Sequence, residues 1–246
     1  MSQTMTFDFT PEQHALASRA RDAAASIGES VANAIDSLGS IADDVSNALK
    51  QQSLTSLFKG SAVNAAIVIE ELASVSAGLG AHYGFAAAVE ESGHTTVKPQ
   101  PLAGLRSSEI PLARVEVSGA AEKAKARLVA AAVAIGIGRA AIDHAIASMK
   151  KMGVKPGPDE YVPHWTFADG ATDVAAARML TYDAAQKLDR KEDAEAAVTR
   201  AHIFSALAAT RAVDAAIKIE GPWGYAKGGL LERLSRDART LQVILR

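Results

Sequence analysis

The chain contains no cysteine, which excludes a disulfide framework, a thiolate zinc site and a cysteine nucleophile. Charge of one sign is equally scarce. Its 26 basic and 28 acidic side chains leave a net charge of −2, no electrostatic footprint for nucleic acid or an anionic membrane. The six histidines (His14, His82, His94, His144, His164 and His202) form no HExxH pair and no i, i+4 pair, so their spacing gives metal binding no support. A GxSxG elbow and a Walker loop are also missing, which leaves a serine triad without a basis. Met1–Met5 lacks the basic-then-apolar layout of a signal peptide. The uncharged apolar stretch Leu128–Gly138 is well short of the roughly 20 residues that cross a bilayer. Leu72–Val89 is longer, but Ser74, Ser76, His82, Gly78, Gly80 and Gly84 interrupt it. The expectation is a cytoplasmic protein that neither spans a membrane nor binds nucleic acid.

What fills the chain instead is alanine. Hydrophobic residues make up 48% of the 246 residues and charged residues 22%, enough for a sizeable core and too apolar for disorder. Aromatics are only 5%, and runs such as Ala130–Ala132 and Ala175–Ala177 carry much of the apolar content. Alanine is the best helix former, and its small side chain lets helix axes approach closely. The composition predicts an all-α, tightly packed fold.

Thr10-Pro11-Glu12-Gln13 supplies a Thr N-cap, a proline at the first helical position and a glutamine three residues after the cap, a capping box. The helix it opens is predicted to run to about Ser26. Short helices broken at Gly39 and near Ser53 follow, then a stronger one from Asn64 to about Gly78, with small residues through Gly84. Between Ser92 and Gly119, Pro99, Pro101 and Pro111 interrupt any continuous helix. There Leu112–Val117 alternates apolar and charged residues, which predicts one or two strands. Leu128, Ile135, Ile142, Ile146 and Met149 share a helical face. Gly153–Pro163 reads as a loop. Helices are expected over about 166–188 and 193–219, the second with Ile203, Leu207, Val213 and Ile217 on one face. Gly221-Pro222 stops it, and a last helix begins near Leu230. The expected organisation is an N-terminal helical domain over 1–95, an extended or β segment over 96–120, and a helical bundle over 121–246.

Three motifs have competing readings. Gly136-Ile137-Gly138-Arg139-Ala140-Ala141 matches G-x-G-x-x-A, with Asp159 downstream. The dinucleotide fingerprint needs a preceding strand, and the alanine-rich Glu122–Ala134 favours glycines that let two helices approach. Glu70-Glu71 resembles a carboxylate pair, but neighbours on a helix point about 100° apart, so at least one is expected on a solvated face. Arg233, Arg236, Asp237, Arg239 and Arg246 form a charged C-terminal helix. Ion pairing with solvent or at an oligomer interface is the plainer reading there, and anion recognition by arginine the sharper one.

Several segments together resemble the acyl-CoA dehydrogenase family. Ala131–Ile146 (AAVAIGIGRAAIDHAI) is similar to the family's first C-terminal helix, and Ala177-Arg178-Met179 to its second. Ile219-Glu220-Gly221-Pro222-Trp223-Gly224-Tyr225 resembles a Gly-Gly-x-Gly-Tyr turn, and Leu231–Ala238 the Glu-Arg-x-x-Arg-Asp-Ala run after it. Gly221, Gly224, Tyr225 and Arg236 mark this shared motif. Upstream, Phe9–Gln13 and Ile69–Val75 are similar to the family's N-terminal helices. Gly104-Leu105-Arg106 and the segment to Val117 resemble the last strands of a middle β-domain otherwise largely missing. The implied fold is an all-α N-terminal domain and C-terminal four-helix bundle with a vestigial β segment between them.

The resemblance implies flavin-linked α,β-dehydrogenation of an acyl-CoA thioester, with FAD as cofactor and a glutamate removing the α-proton. Both family positions for that glutamate are replaced, by Leu245 and Ala126. Arg127 matches a retained substrate-side arginine. Lys218 stands where the family has glutamine, Pro222 where it has glycine, and Met152–Pro156 where it has an Arg-x-Phe-Gly segment. Lys155, Lys218, Gly221 and Gly224 are therefore the cofactor-side candidates. Three functional readings remain open. The first is a non-catalytic subunit in a homo- or hetero-oligomer, paired with a full-length acyl-CoA dehydrogenase. The second is a flavoenzyme with a relocated base, for which Glu220 beside the glycine turn is the candidate against a solvent-facing helix end. The third is a non-enzymatic helical assembly or binding module.

Overall fold

The structure is a computed structural model that describes residues 9–90, 96–153 and 162–245. It opens at the capping box: Thr10 Oγ1 accepts from the Gln13 backbone N–H at 3.3 Å, and the Gln13 side chain accepts from the Thr10 N–H at 3.0 Å. Helix α1 (Pro11–Leu38) passes the predicted end at Ser26. Gly28 kinks it at φ 70°, but Ala32 and Ile35 bury beyond the kink, so the helix resumes until Gly39 ends it. Then come α2 (Asp43–Gln51), α3 (Ala62–Val75) and α4 (Ala77–Ala88). Ser76 separates the last two and caps α4 by accepting from the Leu79 N–H at 3.3 Å.

The expected strand at Leu112–Val117 is a helix, α5 (Glu109–Glu116), and no strand occurs among the described residues. Pro111 lies in its first turn, where a missing N–H breaks no helical hydrogen bond. Leu112 and Val115, three apart, bury on one face, whereas Val117 is exposed. Six alternating residues were too few to separate the two periods. The vestigial segment is thus a helical connection.

Four helices form the C-terminal bundle: α6 (Ala120–Lys151), α7 (Val162–Asp189), α8 (Glu195–Glu220) and α9 (Leu230–Leu241). Helix α6 lies at the centre and packs against α3, α4, α7, α8 and α9. It is long and apolar enough to cross a membrane by length and composition, but 67% of its most apolar window is buried by neighbouring helices. Its glycines serve that packing rather than a nucleotide. A Cβ at Gly136 would sit 2.6 Å from the Glu70 carbonyl oxygen of α3, and one at Gly138 would sit 2.6 Å from a Val174 methyl of α7.

A buried polar node ties the N-terminal helices to the bundle. Glu70 and Glu71 are both buried, so the expectation that one faces solvent is overturned. Arg139 (α6) bonds Glu70 at 2.5 Å and Glu71 at 3.2 Å, Arg178 (α7) bonds Glu70 at 2.9 Å, and Arg21 (α1) bonds Glu71 at 2.8 Å. The Tyr182 hydroxyl donates to Glu70 at 2.6 Å. Cations from neighbouring helices converge on the pair, so two carboxylates 100° apart are both satisfied inside.

A second node fixes α9. Arg236 grips Asp36 of α1 with two bonds (2.9 and 2.7 Å) and donates to the Ala103 carbonyl at 2.6 Å, while Arg233 pairs with Asn33. These arginines therefore face α1 rather than solvent. Asp237 is buried and accepts from the Leu105 N–H at 2.6 Å. Burial pushes its carboxyl up to about 6 from 3.8; the Leu105 bond and Arg233 and Arg236 oppose this, and Asp36 adds to it.

Two outcomes are expected. Gly136→Ala places a Cβ against backbone, so it should cost about 1–3 kcal/mol; Gly138→Ala meets a side-chain methyl and should cost less. Thermal melts of the two variants check the order. For Asp237, the folded carboxyl holds its proton more tightly than the unfolded one, so its contribution falls as pH rises from about 4 to 6. Asp237→Asn keeps an acceptor for Leu105 and should gain on wild type across that window, by on the order of 3 kcal/mol. Parallel stability-against-pH curves for the two proteins would contradict this.

Candidate functional site

A cavity of about 450 Å³ opens between α6, α8 and the end of α9. Thr199, His202, Ile203, Ala206 and Leu207 line it from α8, at the i, i+3, i+4, i+7 spacing of a single helix face. This overturns part of the predicted α8 face: Ile203 and Leu207 are 56% and 42% exposed, whereas Val213 is buried. Ten residues are not a whole number of turns, which rotates Val213 about 80° from Ile203. Arg127 enters from α6, and Leu241, Ile244 and Leu245 close the far side.

Polar chemistry in this apolar chamber is sparse. The Arg127 guanidinium is largely buried and pairs with Glu195, an exposed residue in the first turn of α8. His202 is buried, and its Nε2 lies 2.9 Å from the Leu241 carbonyl oxygen. A carbonyl only accepts, so Nε2 carries the hydrogen. Burial pushes the His202 pKa below 6.5, and the Arg127 charge adds to the shift against the Leu241 bond. Gln242, also lining the cavity, accepts from Arg239 at 2.9 Å and donates to Thr210 at 2.5 Å.

The sequence-predicted residues divide between two places. Arg127 and Leu245 meet on the cavity, with Ala126 fully buried beside Arg127. Glu220 lies at the other end of α8, about 25 Å along the helix from Ile203. It neither reaches the cavity nor stands free in solvent, because it sits 3.0 Å from His144 Nε2 on α6.

Lys218 is exposed, and its charge acts on Asp214. Gly221 ends α8 at φ 72° with open space beside it. Gly224 is required by its own turn, since a Cβ there would sit 2.6 Å from the Glu220 Cβ. Trp223 and Tyr225 are 82% and 59% exposed. Lys155 lies outside the described residues. Within one chain these groups form an open surface with one cation and a turn already filled by its own atoms. The described residues among them do not enclose a flavin.

His202 belongs to no metal-binding spacing, so the histidine pattern alone does not single it out. The available signal was a histidine seven residues after Glu195, two turns along the same face of an otherwise alanine-rich helix.

Sequence comparisons with known proteins fall on the half of the chain that holds this cavity. Residues 120–244 match the family model described as Acyl-CoA dehydrogenase, C-terminal domain. A 3-(aryl)acrylate reductase from Clostridium sporogenes is 35% identical over 119 residues, 48% of this chain and 32% of that protein. The CarC subunit of the caffeyl-CoA reductase–Etf complex from Acetobacterium woodii is 32% identical over 119 residues, 48% of this chain and 31% of that protein. The matched stretch thus spans about a third of the length of these curated relatives. Butyryl-CoA dehydrogenase from Megasphaera elsdenii superposes with a TM-score of 0.78 at 15% identity, covering 97% of this chain and 95% of that one, which is a likeness of fold.

Proposed function

The chain belongs to the acyl-CoA dehydrogenase family, and we propose that within it the chain is an acyl-binding subunit that lacks the family's carboxylate base and works beside a full-length dehydrogenase subunit. One observation carries this reading. The retained arginine, Arg127, and the replaced base position, Leu245, line the same cavity, so the chamber keeps an anchor for a ligand oxygen and has lost the glutamate. Leucine accepts no proton.

The aliphatic walls suit an apolar acyl group. The relatives named for 3-(aryl)acrylates and caffeyl-CoA favour an acyl chain bearing an aryl ring. CarC, named as one subunit of a complex, supports a hetero-oligomer. So do Trp223 and Tyr225, which lie exposed beside the open surface of Lys218 and Gly221, where a second chain would complete what one chain leaves open. FAD is the cofactor that family membership implies. Because one chain does not enclose it, no step of this reading passes through it.

The reading is tested at Arg127. Its partner Glu195 is half-exposed, and such a pair contributes less than about 1 kcal/mol to stability. Arg127→Ala should therefore weaken calorimetric binding of cinnamoyl-CoA about tenfold, the loss of roughly 1.4 kcal/mol. The melting temperature should fall by no more than about 4 °C. A large loss of stability with unchanged affinity would assign Arg127 to the fold instead.

A further inference from the structure

Among the described residues that line the cavity, two side chains are titratable, Arg127 and His202, and arginine stays protonated in proteins. Thr199 and Gln242 are not bases. Of these described lining residues, His202 is therefore the one whose side chain can take a proton from a ligand.

The ring is prepared for that role. Its Nε2–H is committed to the Leu241 carbonyl, which fixes the neutral tautomer and leaves the lone pair on Nδ1. Among the described residues no hydrogen-bond partner engages Nδ1. Nor is it one of the sealed, unpartnered atoms, which are Arg106 Nε, Arg114 Nε and Arg233 Nε. The open space beside His202 is the cavity itself.

We propose that His202 is the proton acceptor of this cavity, its Nδ1 taking a proton from the α-carbon of a bound acyl thioester and returning it. The inference rests on the acyl-site reading above. The α C–H bond breaks and an Nδ1–H bond forms, while the electron pair passes into the thioester as an enolate. Reverse transfer restores both partners. Nothing is oxidised or reduced, so the exchange needs no flavin and is compatible with a subunit that does not dehydrogenate. Arg127 is the cation on the same cavity that offsets the enolate charge.

The test follows exchange of the α-hydrogens of phenylacetyl-CoA in D2O by proton NMR, with binding measured by calorimetry. Wild type should catalyse the exchange. His202→Gln, whose amide can still donate to Leu241, should slow it about a hundredfold or more, the usual contribution of a general base, with affinity within about twofold of wild type. If wild type does not bind the thioester, the acyl-site reading fails and this assignment with it. If it binds without exchanging, or if His202→Gln exchanges at the wild-type rate, only the proton acceptor falls.

A second arm uses wild type alone and stands even where the variant does not fold. The charges around the imidazole are Arg127 on α6, Glu195 at the start of α8 and Arg239 on α9, reached through Gln242. The exchange rate should be flat near neutral pH and fall on acidification through an ionisation below 6.5. A rate that does not change between about pH 4 and pH 8 overturns the assignment.

Discussion

Everything else in the structure depends on satisfying two carboxylates in the core. Glu70 and Glu71 lie on α3, and their partners come from α1, α6 and α7, so a single node holds four helices. Burial raises the Glu71 carboxyl, but Arg21 and Arg139 outweigh it and hold the group below the ordinary range. Burial and the Glu70 charge both push the Tyr182 hydroxyl well above its ordinary value, so it remains a donor. An apolar replacement of such a network is often neutral, whereas removing one partner strands a buried charge at about 3–5 kcal/mol. The node therefore fixes which helices meet and in what register, more than it adds net stability. Small residues make this possible, because Gly136 brings α6 against the α3 backbone where Arg139 can reach both carboxylates.

The second constraint is the clasp on α9, which bears directly on the cavity. Arg236 and Asp237 bind α9 to α1 and to the 103–105 segment. That fixes the end of α9, where the Leu241 carbonyl orients His202 and where Ile244 and Leu245 close the chamber. Asp237 sits there with a raised pKa, a local penalty in a buried clasp. It also couples the far wall of the cavity to the N-terminal helices through a few named bonds. Arg233 and Arg236 of the C-terminal helix thus position the site from behind through their bonds to α1.

Much of this was legible in the sequence. Thr10, Pro11 and Gln13 announced α1 because a capping box is local chemistry. The alanine-rich stretches announced the bundle because propensity and periodicity add over many residues. Arg127 and Leu245 were named separately by the family resemblance, and both line the cavity although more than a hundred residues lie between them. What was not legible depended on partners distant in sequence. Nothing within α3 shows that Arg21, Arg139 and Arg178 will converge on both Glu70 and Glu71. The short α5 misled because alternation over six residues also satisfies an i, i+3 pair, here Leu112 and Val115. For His202 the sequence shows its place on the α8 face but not the carbonyl 39 residues away that orients its ring.

The two polar groups of the cavity differ in how firmly each is committed. Arg127 carries a permanent charge, and its partner is an exposed glutamate at a helix start. A ligand oxygen can take the place of Glu195 at small cost, because the released glutamate is exposed at the helix start and regains its hydration. His202 is the opposite case. One nitrogen is locked to the backbone, and burial and the Arg127 guanidinium disfavour a second positive charge, which shifts the ring toward its neutral form. A fixed cation and a neutral acceptor in an otherwise aliphatic chamber select a ligand that brings an electron-rich oxygen to one and a hydrogen to the other. An acyl thioester offers both, a carbonyl oxygen and an acidic α C–H on adjacent carbons. On the proposal that His202 accepts the proton, the leucine at position 245 moves that task to another residue of the same cavity and leaves the proposed class of ligand unchanged.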